Sequence, residues 1–231
     1  MTREVRTSRV CRDGTVSSYT AEYIKEHTLT VKINGTAVYS IVCTACDLEE
    51  MVIGRLYTDG RISRDSIPTV VISKDSCTAS VDIPDHEDIQ KREHIIDMLP
   101  AKDIDDDTIF RLADMFAQDS PIHSRTRSAH RCILYLSQDI YHSFEDISRH
   151  NTIDKAIGCA LIHGYDMADA IVYTSGRVPV DMVEKIIYAG IPVVISRAVP
   201  TYDSLLLAKK HGLTIIARAH PDGYCRYTDV S

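Results

Sequence analysis

The chain has 231 residues, of which 44% are hydrophobic and 26% are charged, proportions typical of a globular protein with one large or two small domains. Its net charge of −7 argues against broad nucleic-acid binding, and no apolar run reaches the roughly 18 residues that a membrane helix needs. The polar start and the odd number of cysteines, 7, lead us to expect a cytoplasmic protein with reduced thiols and no nucleic-acid or membrane partner.

The N-terminal half is predicted to hold a β-hairpin followed by a helix. Residues 1–26 are polar, and we expect no regular structure there. Apolar and polar residues alternate on both sides of Asn34-Gly35, a pair that tolerates the positive φ angles of a type I′ turn. Asp47 is a candidate helix cap and Gly60 a candidate helix end. Two short strands are expected at 69–73 and 79–83.

The C-terminal half alternates short apolar runs with amphipathic ones, a pattern typical of βαβ units and a parallel sheet. We therefore predict an α/β protein (α+β with a βαβ C-terminal half), in which a smaller, hairpin-containing N-terminal region (1–106) precedes an α/β domain (107–231). The basic stretch 120–131 is expected to be a loop. The predicted strands are 132–137, 170–176, 191–197 and 213–219, and the predicted helices are 107–118, 152–164, 178–190 and 201–212.

Arginine recurs where the predicted strands end. The carboxyl ends of parallel strands meet at one edge of a sheet, and the stretch EDISRHNTIDKAIG should place Arg149, His150 and Asn151 at a helix start on that same edge. Guanidinium groups and helix N–H groups bind phosphate, which predicts a phosphate or pyrophosphate pocket. The alternative is that these arginines pair with the many acids of the chain. The residues at the strand ends are Ser175, Gly176, Arg177, Ser196, Arg197, Thr201, Arg218, Ala219 and His220.

Several of these residues also have plain structural interpretations. His150 is either an acid–base group or a hydrogen-bonded residue at a helix start. Asp154 and Lys155 fit the surface of a helix, and Glu145 and Asp146 are expected to pair with the nearby arginines. The CxxC of Cys43 and Cys46 is a spacing found in redox and metal sites, but no second ligand pair accompanies it, so we favour a structural role.

Three stretches resemble the signatures of a known family. EDISRHNTIDKAIG resembles EDxGRHNAxDKxxG, and CTACDLEEMVIGRLYTDGRI resembles xTPxDLEELxxGFLxxEGxI. The run TSGRVPVDMVEKIIYAGIPVVISRAVPTYDSLLLAKKHGLTIIA is similar to TxGRxSxEMVxKxxxAGIPxxxSxSAPTxLAxxLAxxxGxTLxG. These are signatures of the FdhD family, the accessory sulfurtransferases of formate dehydrogenase, and the matches cover most of residues 30–217.

The resemblance implies a function and a fold. Family members accept persulfide sulfur from a cysteine desulfurase and pass it to the molybdenum or tungsten of a bis-pterin guanine dinucleotide, of which GDP is a partial mimic. They resemble the cytidine deaminase fold and form homodimers. Their cofactor-binding stretch corresponds to residues 218–223 here. No metal-ligating residue is expected, and the expected cofactor-binding residues are Arg149, His150, Asn151, Asp154, Lys155, Ser175, Gly176, Arg177, Ser196, Thr201, Arg218, Ala219, His220, Pro221, Asp222 and Gly223.

The sequence departs from the family pattern in ways that bear on sulfur transfer. The family's sulfur-carrying CxxC belongs to a loop that corresponds to residues 84–106, which contain no cysteine here. Cys77 is therefore the expected catalytic thiol, and Cys43 with Cys46 in a changed arrangement is the alternative. The family's TGGxH reads TRSAH, with Arg127 and Ser128 in place of glycines, Ser148 replaces another glycine, and GFxRG reads ARAHPDG. An alternative is therefore a non-catalytic chaperone that binds the cofactor. A zinc deaminase would need HxE and PCxxC ligands, and neither motif occurs.

Overall fold

The computed structural model describes residues 2–84, 98–118 and 120–227 of the chain. In those ranges the chain forms three β-sheets, six α-helices and one 3₁₀ helix, Met167–Asp169, which confirms the predicted mixed α/β class. Much of 84–106, where the family's cysteine loop is expected, lies outside the described residues. Within the described ranges no helix combines the length and the apolar character that crossing a bilayer requires.

The first 24 residues are more regular than their sequence suggests. Strand β1 (Thr2–Val10) pairs with β2 (Val16–Ile24) as an antiparallel hairpin, so the expectation of an irregular start is wrong. Most side chains on both strands are exposed, which explains why no apolar alternation marks them. Gly14, at φ 85°, lies in the turn between the strands.

A second sheet and the first helix complete the N-terminal half. Asn34 (φ 50°) and Gly35 (φ 80°) form the predicted turn, and the Asn34 side chain also bonds the backbone of Ile83 at 2.8 and 2.9 Å. Asp47 does not cap the helix as predicted, because its backbone is left-handed and its carboxylate makes no capping bond. The four-stranded sheet has the order β4-β3-β6-β5, with β3 His27–Ile33, β4 Thr36–Cys43, β5 Val70–Ile72 and β6 Thr78–Val81, and helix α1 is Leu48–Thr58.

The C-terminal half is built on a six-stranded sheet of order β12-β11-β10-β9-β7-β8. Only β9, β10 and β11 are mutually parallel. The predicted strand β7 is antiparallel to β9, which corrects the expectation of a parallel sheet there, and the antiparallel strands β8 and β12 were not predicted. The strands are β7 His130–Ser137, β8 Ile140–Asp146, β9 Ile171–Thr174, β10 Val193–Ser196, β11 Thr214–His220 and β12 Gly223–Arg226. The helices are α2 Asp106–Gln118, α3 Pro121–Thr126, α4 Arg149–His163, α5 Val180–Tyr188 and α6 Tyr202–His211.

Alternate residues of the six-stranded sheet face two separate layers of helices. Val172 and Val194 face the layer that contains α4, α5 and α6, whereas Tyr173 and Ile195 face α2. The first layer also contains α1 and residues of the four-stranded sheet, such as Leu29. One hydrophobic core therefore joins both sides of the predicted boundary at 106/107, and the two-domain division stays a prediction.

Helices α1 and α4 cross with their backbones in contact. A Cβ atom added to Gly54 would lie 1.8 Å from the carbonyl oxygen of Asp154, and one added to Gly158 would lie 1.8 Å from that of Glu50. No side chain fits at either position unless a helix moves. This crossing fixes α4, and with it the functional residues at its start, against the N-terminal half.

We expect Gly158→Ala to lower the free energy of unfolding by about 3 kcal/mol or more, because the added methyl group meets backbone and not a movable side chain. Thermal and urea denaturation followed by circular dichroism would measure the change. Glu49→Ala, on the exposed face of α1, is the matched control and should change stability by about 0.5 kcal/mol or less. Equal stability of the two variants would contradict the close crossing.

Candidate functional site

The corners that follow β9 and β10, and the corner at Arg218 within β11, are bonded to one another along one edge of the sheet. The Arg197 N–H donates to Thr174 O at 3.0 Å, and the Ser196 hydroxyl donates to Gly176 O at 2.8 Å. The Arg218 N–H donates to Ala198 O at 3.1 Å. The three corners therefore form one continuous surface, as the sequence predicts for the ends of parallel strands.

The start of α4 joins this surface. The side chain of Arg149 lies over Gly176, where an added Cβ atom would be 2.8 Å from Arg149 Cβ and 2.9 Å from its Cδ. Only glycine admits the arginine side chain at that corner. We call Arg149, Arg177, Arg197 and Arg218 together the arginine rim.

Most of the arginine rim has no acidic partner. The Nε of Arg149 is buried without a hydrogen-bond acceptor, and within ranges 2–84, 98–118 and 120–227 no acidic side chain forms an ion pair with Arg149, Arg177 or Arg218. The side-chain partner of Arg197 is a histidine and not an acid, because Arg197 Nη2 lies 3.3 Å from His220 Nδ1. The alternative that these arginines pair with acids of the chain is therefore wrong for the described residues.

Two arginines near this edge have left-handed backbones. Arg218 (φ 51°) lies in an irregularity of β11, and Arg127 (φ 57°) ends α3. The left-handed conformation costs an arginine about 1 kcal/mol or more, and such strain is concentrated at functional sites. The glycine that the family signature has at the position of Arg127 would adopt this backbone freely.

A buried ion pair lies beneath the start of α4. Lys155 Nζ is 2.8 Å from Asp146 Oδ2, and both side chains are 0% exposed. The ammonium also donates to Thr44 Oγ1 at 3.0 Å, and Asn151 Nδ2 donates to Asp146 Oδ1 at 2.9 Å. Asn151 and Lys155 were predicted to touch a cofactor, but their polar atoms are already bonded inside the protein, which makes them supports of the site.

Asp154 belongs to a second buried cluster and not to the arginine rim. Its carboxylate contacts Lys185 Nζ at 2.5 Å and Arg55 Nη1 at 3.8 Å, and it accepts a hydrogen bond from Thr58 Oγ1 at 3.3 Å. Burial raises the pKa of Asp154, although Lys185 and Arg55 lower it. The interpretation of Asp154 and Lys155 as helix-surface charges is therefore wrong as well.

Part of the stretch 120–131, predicted to be a loop, forms helix α3, and Glu145 holds the start of that helix. Its carboxylate accepts hydrogen bonds from the Ser120 hydroxyl at 2.6 Å and from the backbone N–H groups of Ile122 and His123 at 2.8 and 2.9 Å. These bonds satisfy the free donors at the start of α3. Glu145 and Asp146 thus hold neighbouring segments in place and do not pair with the arginines, contrary to expectation.

The other predicted site residues divide into structural and accessible groups. Thr201 caps α6 in a reciprocal pair with Ser204, and Ala219 O accepts from a buried tyrosine hydroxyl. His150 Nε2 lies 2.7 Å from Asp181 Oδ2 at the outer side of the arginine rim. Ser175, beside Arg177 at the corner, accepts the Arg131 N–H at 3.0 Å. Pro221, Asp222 and Gly223 occupy the β11–β12 turn, next to Arg218 and His220.

All seven cysteines are free thiols, and they differ in accessibility. Cys77, the expected catalytic thiol, is exposed on the turn before β6, and its Sγ contacts Asp75 O at 3.4 Å. Cys46 is half-buried, with its Sγ 3.8 Å from Lys155 Nζ. Burial raises the pKa of Cys46, and Lys155 opposes that shift. Within the described ranges no three His, Cys, Asp or Glu side chains are grouped to hold a metal.

Sequence reasoning gave Thr44 no role, and it offered only a ligand contact after a basic loop for His130. His130 starts β7 beside the β9 corner, with Nδ1 3.1 Å from Ser175 Oγ. Thr44 joins the ion pair through its hydroxyl and through its N–H, which donates to Asp146 Oδ2 at 3.0 Å. The only available signal was the position of each residue in a family motif, TRSAH for His130 and CTACD for Thr44.

Comparisons with known proteins agree with this fold. Residues 86–231 match the model of the FdhD/NarQ family. "Sulfur carrier protein FdhD" of Bacillus pumilus is 28% identical over 241 residues, 94% of this chain and 92% of that protein. The protein of the same name from Methanothermobacter thermautotrophicus is 28% identical over 80% of this chain and 81% of its own length.

One solved structure resembles nearly the whole chain. A crystal structure from Desulfotalea psychrophila, provisionally described as a formate dehydrogenase accessory protein, superposes with a TM-score of 0.84. It is 25% identical, and the match covers 99% of this chain and 96% of that one. The family model, the relatives and the structure agree, and the chain belongs to the FdhD/NarQ family.

Proposed function

We propose that this protein is a sulfur carrier in the maturation of formate dehydrogenase. In this proposal it accepts sulfur from a cysteine desulfurase and delivers it to a molybdenum or tungsten bis-pterin guanine dinucleotide bound at the arginine rim. The relatives named as sulfur carriers and the neighbour described as an accessory protein support the general role. The buried, unsatisfied Nε of Arg149 supports the choice of an anionic substrate.

The arginine rim fits the phosphate groups of such a substrate. A buried N–H donor without an acceptor costs about 1–3 kcal/mol, a penalty that a phosphate oxygen would remove. Arg177 and Arg218 are exposed and unpaired within the described part of the chain, and planar guanidinium groups bind phosphate with two hydrogen bonds. In this proposal Arg149, Arg177 and Arg218 hold pyrophosphate oxygens, and the metal of the substrate is the acceptor of the transferred sulfur.

We expect Arg149→Ala and Arg218→Ala each to weaken GDP binding by about 1.5–3 kcal/mol, roughly tenfold to a hundredfold in Kd, because each change removes a charged phosphate contact. Isothermal titration calorimetry at fixed salt concentration would measure the Kd. Arg64→Ala is the control, because Arg64 is an exposed arginine that pairs with Asp166, remote from the rim. Unchanged Kd values in both rim variants would remove the proposed site.

Sulfur transfer requires an accessible thiol, and Cys77 remains our proposed carrier. Cys43, Cys132 and Cys159 are buried, whereas Cys77 and Cys225 are exposed. A thiolate of the carrier would attack the terminal sulfur of the desulfurase persulfide, whose S–S bond breaks as the desulfurase leaves as a thiolate. Cys46 is the second candidate, because Lys155 Nζ lies 3.8 Å from its sulfur.

We expect incubation with a cysteine desulfurase and cysteine to add one sulfur atom to Cys77, because an exposed thiol can reach a donor on another protein. Peptide mass spectrometry would locate the modification. Cys77→Ser should abolish it, and Cys225→Ser, which removes an equally exposed thiol, should not. A persulfide on Cys46 alone would reassign the carrier.

A non-catalytic chaperone is the second candidate function. The observation that favours it is the absence of any cysteine in residues 84–106, where the family's sulfur-carrying loop is expected. Such a protein would bind and present the same dinucleotide without carrying sulfur. If no cysteine acquires sulfur while GDP still binds, this function replaces the first.

A homodimer is part of the proposal, and the β1–β2 hairpin is its proposed surface. Glu22 contacts Arg125 of α3 at 3.8 Å, so one face of the hairpin lies towards the body of the protein. The strand register places Val5, Tyr19 and Tyr23 on the opposite face of the hairpin from Glu22, and all three are exposed. Because an isolated two-stranded hairpin is only marginally stable, a second copy that covers this face would stabilise it.

We expect sedimentation equilibrium to give the mass of a dimer, and Tyr19→Glu with Tyr23→Glu to give a monomer, because two carboxylates would be buried in the interface. Val71→Glu is the control, since Val71 is exposed on a strand of the other N-terminal sheet. A monomeric unsubstituted protein at micromolar concentration would contradict the proposal.

The free thiols agree with the cytoplasmic setting we propose.

A further inference from the structure

His130 lies at the β9 corner of the arginine rim, and one of its ring nitrogens has no hydrogen-bond partner among the described residues. Its Nδ1 is 3.1 Å from Ser175 Oγ, and that oxygen already accepts the Arg131 N–H. The Ser175 hydroxyl is thus free to donate to Nδ1, which leaves the proton of a neutral His130 on Nε2. Nε2 makes no hydrogen bond with residues 2–84, 98–118 or 120–227.

Charged groups from each neighbouring element act on His130. Arg149 and His150 belong to α4, His123 belongs to α3, and Asp146 ends β8. Burial lowers the pKa of His130 below its ordinary value, Arg149, His123 and His150 lower it further, and Asp146 alone among these groups raises it. These effects favour the neutral imidazole near pH 7. His130, through Ser175, and Arg149, through Gly176, both contact the corner that follows β9.

We infer that His130 is a second anion-binding residue of the arginine rim, and that it takes up a proton when a polyanionic ligand binds. This inference rests on the proposed function. A phosphate group beside Arg149 would neutralise the positive field that keeps His130 unprotonated, and an imidazolium would donate from Nε2 to a phosphate oxygen. Capture of the dinucleotide would then be coupled to pH, and its release would be easier in a more alkaline medium.

The sign of the pH dependence follows from the two protonation states. In the free protein burial and Arg149 hold the pKa of His130 below its ordinary value, and a bound anion would raise it. Below the free-state pKa the affinity is highest and independent of pH. Between the two pKa values each binding event takes up a proton, so Kd rises by up to about tenfold per pH unit. Above the bound-state pKa the contribution of His130 is lost.

The decisive experiment uses a GDP sugar, because its pyrophosphate diester does not titrate near neutrality and so adds no pH dependence of its own. Calorimetry at about pH 6, 7 and 8, in pairs of buffers that differ in ionisation enthalpy, gives Kd and the number of protons taken up. We expect proton uptake approaching one per site in the unsubstituted protein. His130→Gln should abolish the uptake and flatten the pH profile, because its neutral amide cannot ionise.

His163→Gln, at the far end of α4 from Arg149, is the matched control and should keep the uptake. Thermal denaturation of each variant would show that it is folded. Binding without proton uptake, or uptake that persists in His130→Gln, would overturn the role of His130 and leave the proposed function intact. Absence of binding at every pH would overturn both.

Discussion

The ion pair between Asp146 and Lys155 is the interaction on which the site depends. Two charges that are fully removed from water need every lone pair and proton satisfied, and here Thr44 and Asn151 supply the remaining bonds. The pair joins three segments: the end of β4, the end of β8 and the start of α4. Because removing one partner would leave an unpaired buried charge, the geometry at the start of α4 is tightly specified, and so is the base of the Arg149 side chain.

Local signals in the sequence predicted local structure well. The Asn34-Gly35 turn and the helix ends at Gly164 (φ 67°) and Gly212 (φ 74°) follow from residues that tolerate positive φ. The roles of Glu145 and Asp146 were not predictable, because their partners are distant in the chain; Thr44 and Asp146 are separated by 102 positions. The contact of Arg149 with Gly176 is equally invisible until the chain is folded.

The unpaired arginines are notable in a chain whose net charge is −7. Some arginines elsewhere do pair with acids: Arg55 contacts Asp59 at 3.1 Å and Arg226 contacts Asp106 at 3.0 Å. Glu145 and Asp146, which shortly precede α4 in the chain, are occupied by α3 and by Lys155. The fold therefore concentrates positive charge at one edge by directing these two carboxylates inward, which also draws anions from solution to that edge.

The glycine contact between α1 and α4 has a mechanical consequence. Helices that interlock through side chains can shift by small rotamer changes, but helices whose backbones touch at Gly54 and Gly158 have no such slack. A shear movement at this crossing would therefore break backbone contacts between α1 and α4, so it is a poor way to admit a large ligand. An opening of the site that keeps this crossing intact would occur in the connections that leave β9, β10 and β11. Helix α4, which carries Arg149, would stay in place.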